Sequence, residues 1–378
     1  MTRLAVVPGN TLDDLADKGL SERLAGYYNP QSFFEKVVFL SPFEDAVREV
    51  AGMRVVPTRD VELPARLKEE GADIVRAYGG TTPAEMAVFH RRAGVPVVVS
   101  LHDKRPDRIR PAVRFADAVF VVSQELRSEM VMFGIDPERM FVVPNGVDTA
   151  LMRPLAAGET GELCARFPWR RKLLQVGRKS PEKNIESLVR ALARLGPDYG
   201  LVSVGQGDAA PYEALAREAG VEGRCVFLPA VPQADLVRFY NWADCVCHPS
   251  RSEAMCNVLL EALACGSPVV TTLAAATGLG VGPDGAALLV DDPENDEVLA
   301  KRIRFACEEE NVVRTLRAGA RESVEHLSLE RTQAYEAECY RQVLEMNSKG
   351  AFRRGRFGDV ELYLADLWRR VSRRMKGR

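Results

Sequence analysis

Short runs of Val, Leu, Ile and Ala recur along the first 150 residues, between segments whose apolar residues repeat at helical spacing. One such segment, 83–94, ends at Gly94, a residue typical of helix C-termini. Val-rich strands that alternate with helices predict a parallel sheet built of βαβ units. The runs predict six strands, over 3–8, 36–41, 72–78, 95–101, 118–123 and 140–144.

The same alternation starts again after residue 171. The segment 181–195 predicts a helix with one apolar stripe. Six further strands are predicted, over 172–177, 200–205, 224–230, 244–250, 267–272 and 286–290. The fold class predicted from both halves is α/β, with two Rossmann-like, doubly wound parallel-sheet domains that face a cleft.

Domain boundaries follow from this pattern. We expect an N-terminal domain over 1–150, an irregular linker rich in Pro and Gly over 151–171, and a C-terminal domain over 172–327. Residues 328–350 predict one long helix that crosses back and packs on the N-terminal domain.

The last segment, 351–378, differs from the rest in charge. It contains nine Lys and Arg residues against three acidic ones, and its apolar residues, Trp368 among them, share one helical face. A basic amphipathic helix of this kind predicts peripheral contact with an anionic membrane surface. The alternative is that the apolar stripe packs on the first domain and the cations are solvated.

Composition narrows the class of protein. Of 378 residues, 46% are hydrophobic and 28% charged, which excludes a mainly disordered chain. A net charge of −2 gives no support to nucleic-acid binding. Because no apolar run approaches the ~20 residues of a membrane span and the N-terminus lacks a signal-peptide pattern, the expected location is the cytoplasm. If the tail binds lipid, that location becomes the inner face of the plasma membrane.

The eight cysteines do not predict disulfides, because nothing indicates secretion. Cys245, Cys247 and His248 could suggest a metal site. However, a C-x-C with a single His is a weak zinc signal, and the segment alternates like a buried strand. No metal site is predicted.

Candidate chemistry lies just after the strands, because ligands of open parallel sheets bind outside the carboxyl ends of the strands. Arg178 and Lys183 follow the strand 172–177, and Ser180 and Pro181 predict a helix that begins near 181. A helix N-terminus beside two cations is suited to a phosphate or diphosphate. A solvated basic turn is the alternative.

Two carboxylates come later in the chain. Glu253 follows a buried strand, and Glu261 has apolar neighbours in a predicted helix, where a carboxylate requires hydrogen bonds. The two vicinal hydroxyls of a ribose would supply them, unless the side chain turns to solvent. After another strand, Gly205 and Gly207 would let a ligand approach the backbone, which is a weak signal by itself.

Glu253 and Glu261 are separated by seven residues within SRSEAMCNVLLEALACGSPVVTT, and this segment closely resembles the signature of the retaining GT-B glycosyltransferases of family 4, the glycosyl transferases group 1. The resemblance covers roughly 36–346 and is specific, because several motifs occur in the same order. These are VSLHD (99–103), VVPNGVD (142–148), QVGRKSPEKNIESLVRAL (175–192), VGQGD (204–208) and FLPAVPQADLVRFYNWADCVCHPS (227–250).

The resemblance implies an enzyme that transfers a hexose from a nucleotide-diphosphate sugar to a saccharide or lipid-linked acceptor, with retention at the anomeric carbon. A UDP-sugar is the favoured donor and GDP-mannose the alternative. Arg178 and Lys183 would hold the diphosphate, Glu261 the ribose, and Glu253 the donor sugar. His102 matches the family's active-site histidine. Together His102, Glu253, Arg178 and Lys183 form the predicted catalytic set.

Further donor contacts are implied at Gly177, Gly205 and the four residues after Glu253, which are Ala254, Met255, Cys256 and Asn257. Many relatives have glycines after the first Glu, so this donor pocket is expected to differ in shape. No metal is expected, because the chain has no convincing Asp-x-Asp motif and two cations with a helix N-terminus would stabilise the leaving group. No bound cofactor is predicted, and a role in cell-envelope polysaccharide synthesis is expected. The alternatives are a nucleotide-sugar epimerase of the same fold and a catalytically inactive sugar-binding protein.

Overall fold

A computed structural model of the chain describes residues 2–11, 13, 24–156, 158–279, 286–352, 364 and 368. The chain divides into two compact units. The first combines Met1–Val143 with Gln333–Arg378, and the second is Pro144–Thr332.

The first unit contains an eight-stranded sheet with the strand order β3-β4-β2-β1-β5-β6-β7-β8. Its strands β1 to β8 are Arg3–Val7, Lys36–Ser41, Arg48–Val50, Met53–Pro57, Ile74–Tyr78, Val97–Leu101, Ala118–Val121 and Met140–Val142. All neighbouring pairs are parallel except β3 and β4. Helices α1 to α4 are Leu24–Tyr28, Leu63–Glu69, Thr82–Phe89 and Gln124–Met132.

The second unit contains a six-stranded sheet that is parallel throughout, with the order β11-β10-β9-β12-β13-β14. Its strands β9 to β14 are Arg171–Val176, Tyr199–Val204, Cys225–Leu228, Cys245–His248, Val269–Thr272 and Leu288–Val290. Helices α5 to α12 are Gly161–Arg166, Ile185–Arg194, Ala210–Glu218, Gln233–Trp242, Asn257–Ala264, Leu273–Ala276, Asp296–Glu308 and Glu310–Glu325. The stripe of α6 packs into the core through Ile185, Leu188, Val189 and Leu192.

A last helix, α13, covers Leu329–Ser348, so that it begins in the second unit and continues in the first. Cys339, Tyr340 and Val343 on this helix belong to the core of the first unit, together with Phe39 and Phe120 of the sheet. Burial of these side chains holds the helix on the N-terminal sheet.

Every predicted strand has an observed counterpart, but three local predictions differ from the structure. The hairpin β3–β4 was not predicted, because its edge strand, Arg48–Val50, is short and half exposed. The helix expected over 83–94 ends at Phe89. The segment expected to be an irregular linker contains α5 and lies within the second unit.

Most of the predicted basic amphipathic tail, namely 353–363, 365–367 and 369–378, lies outside the described residues. Of the rest, Leu364 and Trp368 are exposed. None of the helices in the described part of the chain is both long and apolar enough to cross a bilayer.

Candidate active site

Lys183 and Glu253 form the centre of the candidate site in the second unit. Lys183 Nζ donates a hydrogen bond to Glu253 Oε1 over 2.5 Å, and each side chain is only 13% exposed. Glu253 follows β12, while Lys183 ends the 3₁₀ turn Pro181–Lys183 after β9. These two strands are neighbours in the sheet, so their carboxyl ends bring the cation and the carboxylate together.

A third charged group, His248, lies beneath this pair at the end of β12. The ring is 1% exposed, and its Nε2 lies 2.9 Å from the same oxygen, Oε1 of Glu253. Burial alone would lower the pKa of His248, but Cys256 and Glu253 nearby raise it to about 9. Burial would raise the pKa of Glu253, yet His248 and Lys183 lower it to about 2. The carboxylate of Glu253 is therefore ionised at neutral pH.

Hydrogen bonds between the two loops fix this geometry. Ser250 Oγ and the backbone N–H of Arg251 both donate to the carbonyl oxygen of Glu182, over 3.0 and 2.9 Å. The Arg251 guanidinium also donates to the carbonyl of Pro181 and, over 2.8 Å, to Asn184 Oδ1. Arg251 thus acts as a clamp on the turn that presents Lys183, a role that the sequence did not indicate.

The predicted helix start near 181 is wrong, because residues 181–183 form a 3₁₀ turn and α6 begins at Ile185. Ser180 makes no side-chain cap hydrogen bond, and the residue before the helix is Asn184, in a left-handed conformation with φ 52°. The 3₁₀ turn places Lys183 one residue before the N-cap of α6. The partial positive charge of the α6 N-terminus therefore lies next to the backbone of Lys183.

The predicted role of the glycines also changes. A Cβ on Gly205 would lie 2.0 Å from the carbonyl oxygen of Gly177, and one on Gly207 would lie 2.9 Å from that of Lys179. At both glycines the observed close approach is between two loops of the protein, and the approach of a ligand to their backbone stays a prediction. Lys179, which the sequence did not single out, reinforces the contact because its Nζ donates to the carbonyls of Gly205 and, over 2.7 Å, Leu228.

Arg178 points away from this buried cluster. Its side chain is 63% exposed and pairs with Glu182 over 3.1 Å. The structure thus brings Lys183 to Glu253 but leaves the guanidinium of Arg178 accessible to solvent at the rim.

Glu261 finds its hydrogen bonds within the protein. Gln233 Nε2 and Tyr240 Oη, both on α8, donate to its two carboxylate oxygens over 2.5 and 2.8 Å. The carboxylate thus does not depend on ribose hydroxyls for satisfaction, contrary to our expectation from its apolar neighbours.

The four residues after Glu253 complete the loop that leads into α9, Asn257–Ala264. Ala254, Met255 and Cys256 are buried. Met255 Sδ accepts a hydrogen bond from the backbone N–H of Asn145, and Asn145 Nδ2 donates to Asn257 Oδ1 over 2.9 Å. Side chains therefore occupy the space that glycines would leave open, and they connect this loop to the segment after β8.

His102 belongs to the first unit, immediately after β6. Its ring stacks on Tyr78, at the end of β5, with the ring planes 5° apart and their centroids 5.9 Å apart. The side chain of His102 is exposed to solvent, and the positive charge of the nearby Arg76 lowers the pKa of its imidazole. The imidazole is therefore neutral at neutral pH, so one ring nitrogen can accept a proton or a hydrogen bond.

The Arg76 cluster beneath Tyr78 was not predicted. Arg76 is 3% exposed, donates to Ser100 Oγ and Tyr340 Oη over 2.6 Å each, and pairs with Glu336 of α13. Its guanidinium carbon lies 4.4 Å from the centroid of the Tyr78 ring. An arginine inside a strand of apolar residues was the available signal, since an arginine is rarely buried unless it is paired.

Metal-ligating side chains meet at one place among the described residues, where ligand atoms of His248, Glu253 and Cys256 lie within 4.8 Å of one another. Cys245 and Cys247 do not join this group. Both belong to the hydrophobic core of the second unit, as the alternating pattern of their strand predicts.

The fold matches solved glycosyltransferases. Anabaena HepE, solved in complex with UDP, matches with a TM-score of 0.74 at 20% identity, over 90% of this chain and all of that chain. Sucrose-phosphate synthase from Thermosynechococcus elongatus matches with a TM-score of 0.71 at 19% identity, over 91% of this chain and all of the other. Two parallel-sheet α/β domains with these neighbours define the GT-B fold of glycosyltransferases, as predicted.

Sequence comparisons give the family. The sequence-family model "Glycosyl transferases group 1" matches residues 167–323, and the family model "Glycosyltransferase Family 4" matches residues 32–151. The D-inositol 3-phosphate glycosyltransferase of Thermomonospora curvata is 30% identical over 309 residues, which cover 71% of this chain and 72% of that protein. The chain therefore belongs to the group 1 glycosyltransferases.

Alignments to other relatives of the same name are shorter. The D-inositol 3-phosphate glycosyltransferase of Acidothermus cellulolyticus is 29% identical over 300 residues, which are 65% of each chain. That of Mycobacterium sp. (strain KMS) is 36% identical over 179 residues, 45% of this chain and 40% of the relative. The chain thus spans less than two thirds of the length of these two relatives.

Proposed function

We propose that the protein is a retaining glycosyltransferase that transfers a hexose from a UDP-sugar to a saccharide or lipid-linked acceptor, without a metal. The observation that carries the proposal is the Lys183–Glu253 contact. A cation suited to a diphosphate and a carboxylate suited to sugar hydroxyls lie 2.5 Å apart at the carboxyl edge of the sheet. Family membership supports the same assignment.

The leaving group of such a reaction is a nucleoside diphosphate, on whose oxygens negative charge develops as the glycosidic bond breaks. Lys183, at the α6 N-terminus, and the exposed Arg178 supply fixed positive charge for it. When the diphosphate forms an ion pair with Lys183, the contact between Lys183 and Glu253 is broken. The carboxylate of Glu253 can then accept hydrogen bonds from sugar hydroxyls. Retention follows if the departing phosphate oxygen deprotonates the acceptor on the same face of the sugar, and no protein nucleophile is then required.

Glu261 is assigned to the ribose. Its carboxylate is held by Gln233 and Tyr240 and can accept further hydrogen bonds from hydroxyls, because two carboxylate oxygens offer about four acceptor positions. HepE was solved with UDP and with UDP-glucose, which supports uridine as the nucleoside. The neutral His102 is assigned to the donor-sugar side of the reaction.

The acceptor class is inferred from the family resemblance and from the names of the relatives. The resemblance implies a saccharide or a lipid-linked glycan of the cell envelope. The relatives named D-inositol 3-phosphate glycosyltransferase add a polyol phosphate to the acceptors that should be tried. A membrane-bound acceptor would suit peripheral attachment through 351–378 at the inner face of the plasma membrane.

The test is a transfer assay of the full chain with UDP-glucose, UDP-galactose, UDP-N-acetylglucosamine and GDP-mannose, each with and without an acceptor panel. The anomeric configuration of the product is followed by NMR. We expect transfer with retention from one UDP-sugar. An inverted product contradicts the mechanism, and a new isomer of the nucleotide sugar without an acceptor identifies an epimerase.

A matched pair of variants tests the diphosphate assignment. Lys183→Ala is expected to lower kcat/KM by about 10² or more, because a fixed charge on the leaving group is lost. The control, Lys172→Ala, removes a cation that lies near Asp244 at the start of β9, the strand that leads to Lys183. This substitution should leave the rate within about twofold. Equal effects of the two substitutions would refute the assignment.

Activity should also survive treatment with EDTA, and recovery that depends on added Mg²⁺ would contradict metal independence.

A further inference from the structure

His248, Glu253 and Cys256 offer three chemically different ligand atoms in one place. A ring nitrogen, a carboxylate oxygen and a thiol sulfur lie within 4.8 Å of one another. His248 and Cys256 are almost fully buried, at 1% and 3% exposure, while the Glu253 side chain opens to the surface at 13%. We propose that these three side chains form a Zn²⁺ site, and that the bound ion inhibits sugar transfer by occupying Glu253.

The donor set selects the kind of metal. Imidazole and thiolate ligands favour Zn²⁺ over Mg²⁺ or Ca²⁺, which prefer oxygen ligands. The thiolate and the carboxylate together balance the two charges of the ion. Three protein ligands leave the fourth tetrahedral position for water, as in zinc sites that remain open to solvent.

One nitrogen of the His248 ring has no protein partner in the described part of the chain. Nδ1 of His248 is buried and has no hydrogen-bond partner among the described residues. Unpartnered buried polar atoms are rare in folded proteins, because each lost hydrogen bond is costly.

Cys256 lies at the N-terminus of a helix. It is the N-cap residue of α9, and its side chain makes no cap hydrogen bond. The residue therefore lies at the positive end of the helix dipole. When Zn²⁺ binds, the thiol of Cys256 and the imidazolium of His248 each release a proton to solvent, and the sulfur, the freed imidazole nitrogen and one carboxylate oxygen each donate an electron pair to the ion.

Binding of the ion has a consequence for Lys183. Its ammonium now shares Oε1 of Glu253 with His248, and a dication on the carboxylate would compete with it. Glu253 would then be unable to accept hydrogen bonds from a donor sugar. The inhibitory effect rests on the proposed function, whereas the binding of zinc does not.

The test uses the metal-free full chain with Cys164→Ser as background, because Cys164 is an exposed thiol. The protein is titrated with Co²⁺, a coloured substitute for Zn²⁺. We expect a thiolate-to-cobalt charge-transfer absorption in the near ultraviolet that added Zn²⁺ removes. Cys256→Ser should abolish this band, whereas Cys265→Ser should keep it. The control is matched, because Cys265 is also a buried cysteine and caps the other end of α9.

The absence of the band, or its survival in Cys256→Ser, would overturn the zinc site. If circular dichroism shows that Cys256→Ser is unfolded, His248→Gln decides instead, because it keeps the thiol and should weaken Co²⁺ binding by about 10² or more. Zn²⁺ should inhibit transfer by the background protein and by Cys265→Ser alike, whereas whatever rate a folded Cys256→Ser retains should resist Zn²⁺. A band in a protein that transfers no sugar supports the zinc site and refutes the proposed function.

Discussion

Replacing Glu336 with glutamine is predicted to weaken the N-terminal sheet selectively. Glu336 provides the opposite charge for Arg76 of β5. The side chains of this ion pair are both largely buried, with 4% of Arg76 and 14% of Glu336 exposed. Removing one partner of a buried ion pair costs about 3–5 kcal/mol, because an uncompensated charge stays in a medium of low polarity. The size of the effect depends on what else holds the guanidinium.

Three of its contacts survive the substitution. Arg76 still donates to Ser100 Oγ and Tyr340 Oη, and it still lies against the Tyr78 ring. The amide oxygen of the new glutamine can also accept one hydrogen bond. We therefore expect the lower end of the range, about 3 kcal/mol.

The assay is native-state hydrogen exchange of the backbone amides of β5, read by mass spectrometry. Local exchange is preferable to a global denaturation curve, because a chain of two units does not unfold in one step. A loss of about 3 kcal/mol speeds exchange by about 10². Amides of β10, in the second unit, serve as an internal reference.

The matched control is Glu338→Gln on the same helix. Glu338 pairs with Arg341, and these side chains are 44% and 59% exposed, so its loss should change stability by less than about 1 kcal/mol. Exchange of β5 amides that changes equally in both variants, or by less than about threefold in Glu336→Gln, would refute the reasoning.

Three further predictions concern the two units separately. Gly205→Ala should destabilise the second unit by about 2 kcal/mol or more, because its Cβ would lie 2.0 Å from the Gly177 carbonyl oxygen at φ +156°. The control is Gly196→Ala, whose Cβ meets no atom within 4 Å. Urea unfolding followed by tryptophan fluorescence compares the two variants, and equal midpoints contradict the prediction. The imidazole of His102 should titrate below pH 6.5 in an NMR experiment, because the positive charge of the neighbouring Arg76 lowers its pKa. Because the unfolded chain then binds the proton more readily, the stability that comes from His102 is complete above about pH 6.5 and is lost as the pH falls below that value. A titration at or above pH 6.5 would disprove the assignment. Glu261→Gln should weaken UDP binding about tenfold or more in calorimetry, and unchanged affinity would remove this residue from the ribose site.

The sheets were predictable because their strands are continuous runs of Val, Leu and Ala, buried on both faces. The hairpin Arg48–Val50 with Met53–Pro57 was not, since its edge strand is polar and its turn uses Ala51 with φ 50°, a conformation that the sequence does not signal. Apolar periodicity thus predicts central strands better than edges, where burial is weaker.

For the site, the sequence indicated Lys183 and Glu253 because of their positions after two strands. It could not indicate that Gln233 and Tyr240 hold Glu261, since these residues come from another helix and meet it only through tertiary packing. The partnership of His248 with Glu253 was hidden for a similar reason: a histidine at the end of a buried strand has the same sequence pattern whether it is structural or part of a site.

The return of α13 to the N-terminal sheet has a consequence for biosynthesis. Residues 144–332 form one uninterrupted unit, whereas the first unit needs residues from both ends of the chain. Translation proceeds at roughly 5–20 residues per second, so Tyr340 and Val343 emerge about 10–40 s after β8. During that interval the nascent N-terminal sheet lacks part of its core. The unit that is later in the sequence is therefore the first that can complete its fold, and the N-terminal unit can complete its core only after Val343 has emerged.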